Sequence, residues 1–127
     1  MTRILTSPLA LLLMALAACS PAEDPGPRQL PDDPNRPYVV TAIDYHFHDA
    51  HPSRLLSPAR EVVISNQGSN VHNVTFEGTT FVRDIQPGER LSLGPIGELL
   101  TEPGRHVFVC KYHLDRGMRG VLLVDGD

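Results

Sequence analysis

Residues 108 to 120 read Phe108-Val109-Cys110-Lys111-Tyr112-His113-Leu114-Asp115-Arg116-Gly117-Met118-Arg119-Gly120. A thiol, an imidazole and a thioether stand here at C-x-x-H-x-x-x-x-M spacing. Runs of β-forming residues lie on both sides, in 105–110 and 120–124, so the three side chains are expected on one loop between two strands. A loop of this kind can direct all three toward a single ligand.

A second histidine upstream completes a metal-ligand set. His72 begins a predicted strand directly after the polar turn 66–70. One thiolate and two imidazoles form a trigonal set, and a distant thioether adds a weak axial contact; this combination is typical of a blue-copper electron-transfer site. We therefore predict one type 1 copper ion bound by His72, Cys110, His113 and Met118. Structural zinc is a poorer fit, because it prefers a closed shell of Cys and His ligands.

The chain from Tyr38 onward predicts an all-β fold. Short apolar runs alternate with turn sequences such as Pro87-Gly88 and Gly94-Pro95, and a helical turn within 96–102 is the one helical feature that the sequence allows. Several short strands at close spacing indicate a β-sandwich or a small barrel. The predicted strands are 38–47, 62–64, 71–76, 79–85, 90–93, 105–110 and 120–124.

The predicted ligands stand within four short segments: His72-Asn73-Val74, Pro103-Gly104, Phe108-x-Cys110-x-x-His113 and Gly117-Met118-x-Gly120. On these segments, residues 38 to 127 resemble the cupredoxin family, with a plastocyanin-like ligand loop. The resemblance implies an eight-stranded Greek-key β-sandwich with copper near one end and His113 at the surface as the electron port. It also implies that Asn73 helps to tie the ligand loops together; the alternative is an ordinary asparagine at the start of a strand.

Two residues depart from that family's pattern. Cupredoxins often carry proline just before the C-terminal histidine ligand, where this chain has Tyr112. Tyrosine retains a backbone N–H that can donate to the Cys110 thiolate and so tune the reduction potential; Tyr112→Pro should then change that potential. His106 stands where related sequences often have an aromatic residue. It shares strand parity with Phe108, so we expect a buried, hydrogen-bonded histidine rather than a fifth ligand.

The first 37 residues predict export and a membrane anchor. Residues 1–18 combine Arg3 with an apolar run that is too short to span a bilayer but is typical of a signal peptide. The end of that run, Leu16-Ala17-Ala18-Cys19, resembles a bacterial lipobox, which implies a lipidated Cys19; the alternative is ordinary secretion with cleavage near Ala18. Residues 19–37 form a Pro-rich linker. We expect a periplasmic or cell-surface protein attached to the membrane by its lipid alone.

The net charge and the size of the domain indicate which kinds of partner the protein can have. The formal net charge is −4, which argues against binding to nucleic acid. Lys111, Arg116 and Arg119 lie beside the predicted ligands, where a basic rim would favour docking of an acidic redox protein; the alternative is ordinary solubilising charge. One domain with one ligand set predicts an electron carrier rather than an enzyme, and a monomer is the default expectation.

A histidine cluster supports a second function. His46, His48 and His51 lie close together in the sequence, and alternation along a strand over 38–47 would place His46 and His48 on the face opposite Tyr45. Two imidazoles at i and i+2 can chelate a divalent ion as an accessory copper or zinc site, whereas the alternative is a solvated polar face. Such a site would suit copper storage or delivery, which is the alternative to electron transfer.

Overall fold

The computed structural model describes residues 33, 35–50 and 53–126. Runs rich in β-branched and other apolar residues, such as Tyr38–Ile43 and Arg119–Val124, form strands in this part of the chain because such side chains pack well on a pleated surface. The elements are β1 Tyr38–Ile43, β2 His46–His48, β3 Leu55–Leu56, β4 Glu61–Asn66, β5 His72–Phe76, β6 Val82–Ile85, β7 Arg90–Pro95, α1 Ile96–Leu99, β8 Gly104–Val109, a 3₁₀ turn Leu114–Arg116 and β9 Arg119–Val124.

The strands form two sheets that pack face to face. One sheet has the order β2-β1-β4-β7, and the other has the order β3-β9-β8-β5-β6. Neighbouring strands are antiparallel except for β1 with β4 and β3 with β9, which are parallel. The chain crosses between the sheets after β2, β3, β4, β6 and β7, in the manner of a Greek-key sandwich. The predicted all-β sandwich is confirmed.

The core between the sheets is built around three phenylalanine rings. Phe108 of β8 packs against Phe47 of β2, with ring centroids 4.7 Å apart, and against Phe76 of β5, at 5.1 Å. Gly120 of β9 lies directly beneath the Phe108 ring, because a Cβ at Gly120 would stand 2.3 Å from Cζ of Phe108. The missing side chain at position 120 therefore makes room for the central aromatic ring of the core.

The predicted strand over 38–47 is wrong, because this segment folds into two strands joined by a tight turn. Ile43 and His46 are register partners across the β1–β2 hairpin. Between them Asp44 adopts a left-handed conformation at φ 52°, which aspartate tolerates better than most residues. Tyr45 therefore lies in the turn, and Ile43 shares a face with His46 rather than opposing it. With the two-residue β3, the strands among the described residues number nine, one more than the resemblance implies.

The topology brings three segments to one end of the sandwich. β5 runs antiparallel to β8, with Thr75 opposite Val109, so the first residues of β5 lie beside the residues that follow β8. β9 is the other neighbour of β8, and the 110–118 loop connects the two at that same end. The β1–β2 turn also reaches this end, where Tyr45 contacts His113.

Candidate metal centre

Backbone hydrogen bonds within the 110–118 loop fix its shape. The N–H of Cys110 donates to the Met118 carbonyl at 3.0 Å, which closes the loop at its base. Met118 N–H donates in turn to the His113 carbonyl at 3.2 Å, and His113 N–H donates to the Cys110 carbonyl at 3.1 Å. Gly117 ends the 3₁₀ turn in a left-handed conformation at φ 72°, where glycine lacks the steric penalty of a Cβ.

Three of the predicted ligands converge at this end of the sandwich. One donor atom from each of His72, Cys110 and His113 lies within 4.8 Å of the other two. Cys110 Sγ is 3.4 Å from His113 Nδ1, and the His72 and His113 ring centroids are 5.2 Å apart. These distances place the three side chains around one small space. These three residues lie close enough together to form a type 1 copper site.

The environment of His72 fits a bound metal ion. The residue is fully buried, and neither ring nitrogen has a hydrogen-bond partner among the described residues. Burial lowers the pKa of His72 below its ordinary value, and nearby His113 lowers it further, although the Asp44 carboxylate opposes both effects. A neutral imidazole has a lone pair available for a metal without first losing a proton. A soft thiolate beside two imidazoles is the donor set that suits copper.

Met118, the predicted axial ligand, is fully buried at the end of the same loop. Its backbone pairs with both Cys110 and His113, so the residue is held beside the converging donors. The role of its thioether as a weak axial ligand remains a proposal.

Asn73, next to the first ligand, supplies the hydrogen bond to the thiolate. Its backbone N–H donates to Cys110 Sγ at 3.3 Å. Its buried side chain donates to the Arg83 carbonyl at 3.2 Å and accepts from the Thr75 hydroxyl at 2.6 Å. A residue of β5 is thereby joined to the ligand that follows β8, which is the linking role that the resemblance implied for Asn73.

Tyr112 makes a different contact from the one expected. Among the described residues, the backbone N–H that reaches Cys110 Sγ is that of Asn73, and Tyr112 instead donates its hydroxyl to Asp84 Oδ2 at 2.7 Å. His106 lies on β8, away from the converging donors, with its Nε2 2.7 Å from the Glu102 carbonyl oxygen. It is hydrogen-bonded as expected, but it is half-buried rather than buried, because this end of β8 lies near the surface.

His113 is the most exposed of the three converging ligands. It is half-buried, whereas His72 and Cys110 are fully buried. The Tyr45 ring packs edge-on against His113 at 5.1 Å, and exposed Tyr112 and Leu114 flank it in the loop, at 47% and 51% exposure. His113 is therefore the donor through which the site approaches solvent, and the exposed side chains of Tyr112 and Leu114 lie next to it in the loop.

The three basic residues of the proposed rim are all exposed. Two of them have acidic neighbours: Lys111 Nζ lies 3.7 Å from Asp84 Oδ1, and Arg116 Nε lies 3.9 Å from Asp115 Oδ2. The Arg116 guanidinium also stacks over the Tyr45 ring at 4.6 Å. These neighbours reduce the positive field that Lys111 and Arg116 present to a partner, while Arg119 projects from the first position of β9.

The histidine cluster is described only in part. His46 and His48 are exposed on β2, which is an edge strand, and their ring centroids are 6.0 Å apart. His51 lies outside the described residues, as do residues 1–18 of the predicted signal peptide, Cys19 and most of the linker. Within the part of the chain that the structure describes, no helix is long and apolar enough to cross a membrane.

Sequence reasoning missed two residues that contact the site. Tyr45 packs against His113, and Asp84 bonds to both Asn73 and Tyr112. Neither is adjacent to a ligand in the sequence. Asp84 is the cross-strand partner of Asn73, and only a correct alignment of β5 with β6 could have identified it.

No protein-family model matches the chain, and no curated protein matches it in sequence. Solved structures do match. Amicyanin from Paracoccus versutus (Thiobacillus versutus) is 19% identical with a TM-score of 0.54, over 74% of this chain and 86% of amicyanin. The reduced state of an amicyanin mutant is 20% identical with a TM-score of 0.55, over 70% of this chain and 82% of the other.

A Cu-containing nitrite reductase (NirK) from Thermus scotoductus SA-01 is also similar, with 18% identity and a TM-score of 0.55. The match covers 72% of this chain but spans only 23% of the nitrite reductase chain. At these identities the comparisons establish the fold. The chain has the cupredoxin fold that it shares with amicyanin, and at one end of this fold two histidines and a cysteine lie close enough together to form a type 1 copper site.

Proposed function

We propose that this protein is an exported type 1 copper protein that transfers single electrons between redox protein partners. The observation that carries the proposal is the convergence of His72, Cys110 and His113, with the His72 nitrogens buried and without hydrogen-bond partners in the described part of the chain. Copper bound there, with Met118 as axial ligand, would supply the Cu(II)/Cu(I) couple. In this proposal the protein residues hold the donors in place and give electrons a short route to the surface.

The rigidity of the site favours electron transfer over storage. His72 is anchored in β5, and Cys110 and His113 are held by the backbone bonds of a closed loop. A donor set that is already assembled needs little rearrangement between oxidation states. A delivery protein needs ligands that release metal readily, and fully buried donors are poorly suited to that exchange. We therefore favour an electron carrier over a storage or delivery protein.

The partly exposed His113 is the proposed electron port. Its imidazole lies between the exposed side chains of Tyr112 and Leu114 in the loop, which a partner could cover on approach. We propose an acidic redox protein as partner, guided by Lys111, Arg116 and Arg119. If this steering operates, the rate of electron transfer falls as salt concentration rises; a rate independent of salt would contradict it.

We propose a carrier role rather than an enzymatic one because one such donor set is present among the described residues. Copper enzymes of this lineage build additional sites between domains or subunits, and the matched region is a small part of the nitrite reductase chain. For location, we propose export through residues 1–18 and attachment of a lipid at Cys19. The linker 19–37 would then hold a monomeric domain away from the membrane surface.

Copper delivery is the second candidate function, favoured by the exposed pair of His46 and His48. Voltammetry of the copper-loaded protein together with competition by a copper chelator separates the two functions. An electron carrier gives a reversible one-electron wave and keeps its copper in both oxidation states. A delivery protein loses its copper to the chelator in one of those states and gives no reversible wave.

A further inference from the structure

Asp84, on β6, contacts both sides of the donor set with a single carboxylate. Its Oδ1 accepts a hydrogen bond from Asn73 Nδ2 at 2.8 Å, and its Oδ2 accepts one from the Tyr112 hydroxyl at 2.7 Å. Asn73 follows His72 on β5, and Tyr112 lies between Cys110 and His113 in the loop. The Asp84 carboxylate therefore bridges β5 and the ligand loop from outside the donor set.

Neighbouring groups favour the ionised form of Asp84. The hydrogen bonds from Asn73 and Tyr112, with a further contribution from Lys111, hold the pKa of Asp84 below its ordinary value. The Lys111 ammonium lies 3.7 Å from Oδ1. An ionised carboxylate accepts at both oxygens, whereas an amide has one acceptor oxygen and a donor in place of the other. Only the carboxylate can accept from both groups at once, because asparagine would have to reverse the Tyr112 contact and would lose the negative charge.

Asp84 acts on the Cys110 sulfur indirectly, through Asn73. The backbone N–H of Asn73 is the donor to Cys110 Sγ, and its side chain is fixed by Asp84 together with the Arg83 carbonyl and the Thr75 hydroxyl. Two of these three partners are a backbone group and a residue of the same strand. Asp84 is the partner that also bonds to the ligand loop.

We propose that Asp84 is a positioning residue for the metal site, whose carboxylate holds the Asn73 N–H against the Cys110 sulfur and ties Tyr112 to β6. Its effect on copper rests on the proposed function, but its effect on the hydrogen bonds exists without metal. Loss of the carboxylate removes one of the three partners of the Asn73 side chain and, at the same time, the partner of the Tyr112 hydroxyl. The N–H···S contact then opens more often, and the ligand loop moves relative to β5.

Amide hydrogen exchange in the metal-free protein tests the proposal without reliance on copper. Asp84→Asn and Asp84→Ala should speed exchange of the Asn73 backbone N–H by about three- to tenfold, the range expected for loss of one charge-assisted hydrogen bond that is partly exposed to water. The Val63 amide in the other sheet serves as the internal reference and should not change. Asp115→Asn is the matched control, since it removes the same charge from an exposed residue of the loop that contacts Arg116. Unchanged exchange at Asn73 in Asp84→Asn overturns the proposal, even if Asp84→Ala fails to fold.

The copper-loaded protein provides the second readout. Asp84→Asn should shift both the reduction potential and the thiolate–copper absorption band, and each shift should exceed that of Asp115→Asn. Equal shifts in the two variants would show that charge alone acts, and would overturn the positioning role. If the unaltered protein forms no thiolate–copper band, the proposed function fails, while the exchange measurement still decides the role of Asp84.

Discussion

The backbone N–H of Asn73 donates a hydrogen bond to Cys110 Sγ at 3.3 Å, across the boundary between β5 and the ligand loop. The two residues are 37 positions apart in the chain, and the antiparallel pairing of β5 with β8 brings them together. Hydrogen bonds to a ligating sulfur tune its electron density and thus the reduction potential of a bound copper. The donor is a backbone group of β5, so its position depends on the pairing of β5 with β8.

Loss of the Asn73 side chain should destabilise the metal-free protein. Asn73→Ala removes a fully buried amide and leaves the Arg83 carbonyl and the Thr75 hydroxyl without their partner, so the free energy of unfolding should fall by about 1–3 kcal/mol. Urea denaturation measures the change. Asn70→Ala is the control, because the Asn70 side chain is exposed. Equal destabilisation by the two substitutions would show that the contacts of the Asn73 side chain do not contribute measurably to the free energy of unfolding.

A methyl group at position 120 should disturb the centre of the core. In Gly120→Ala the new Cβ would lie 2.3 Å from Cζ of Phe108 and 2.8 Å from Cβ of Ala50. The Phe108 ring must then move, and overpacking of this kind typically costs about 1–3 kcal/mol.

Thermal unfolding of Gly120→Ala, with Gly126→Ala as control, measures that cost. A Cβ at Gly126 would stand 3.6 Å from the nearest atom of Pro103, an ordinary contact, so its unfolding temperature should be nearly unchanged. Adding Phe108→Leu to Gly120→Ala should recover part of the loss. A Gly120→Ala protein as stable as the unaltered chain would contradict the packing described for the three phenylalanines.

Replacement of His72 by an apolar residue should separate stability from metal binding. The buried imidazole has no hydrogen-bond partner among the described residues, so His72→Leu should raise the metal-free unfolding free energy by about 1 kcal/mol. In the presence of copper the unaltered protein should be more stable than His72→Leu. A ligand that binds only the folded state adds about 2.7 kcal/mol at a hundredfold excess over its Kd, and His72→Leu should lose most of this gain. A variant that copper stabilises as much as it stabilises the unaltered protein would exclude His72 as a ligand.

The exposed imidazoles of His46 and His48 should bind one zinc ion weakly in the copper-loaded protein. Their ring centroids are 6.0 Å apart, compared with 5.2 Å for His72 and His113, and exposed side chains can rotate to close that difference. Isothermal titration with Zn²⁺ should lose its binding signal in both His46→Asn and His48→Asn. His106→Gln, which alters a half-buried histidine on β8, is the control. Zinc binding that is unchanged in both variants would show that His46 and His48 are not the ligands. The exposed face of β2 would then be an ordinary polar surface.

The sequence revealed the parts of the site that depend on residue type and local spacing. Cys110, His113 and Met118 lie on one loop, and His72 follows a recognisable turn at the start of a strand. Alternation along β8 likewise placed Phe108 in the core, where it is fully buried. These features persist in any arrangement of the sheets, and so they could be predicted without the topology.

The missed features depend on pairing between distant segments or on backbone angles. The left-handed Asp44 turns the chain within what reads as one continuous strand, and the sequence there lacks the glycine that usually marks such a turn. The contact of Asp84 with Tyr112 requires the register of β6 against β5. The donor to Cys110 Sγ was assigned to Tyr112 because it is near in sequence, whereas Asn73 is near only in the folded chain.

The absorption spectrum of the protein titrated with Cu(II) tests the central claim most directly. An intense thiolate-to-copper charge-transfer band in the visible range that saturates at one equivalent is the predicted result. The band should be absent in Cys110→Ser, which retains both histidines but lacks the thiolate. Pale copper binding by the unaltered protein, without this band and unchanged in Cys110→Ser, would contradict the type 1 site and would show that the copper is bound by other ligands.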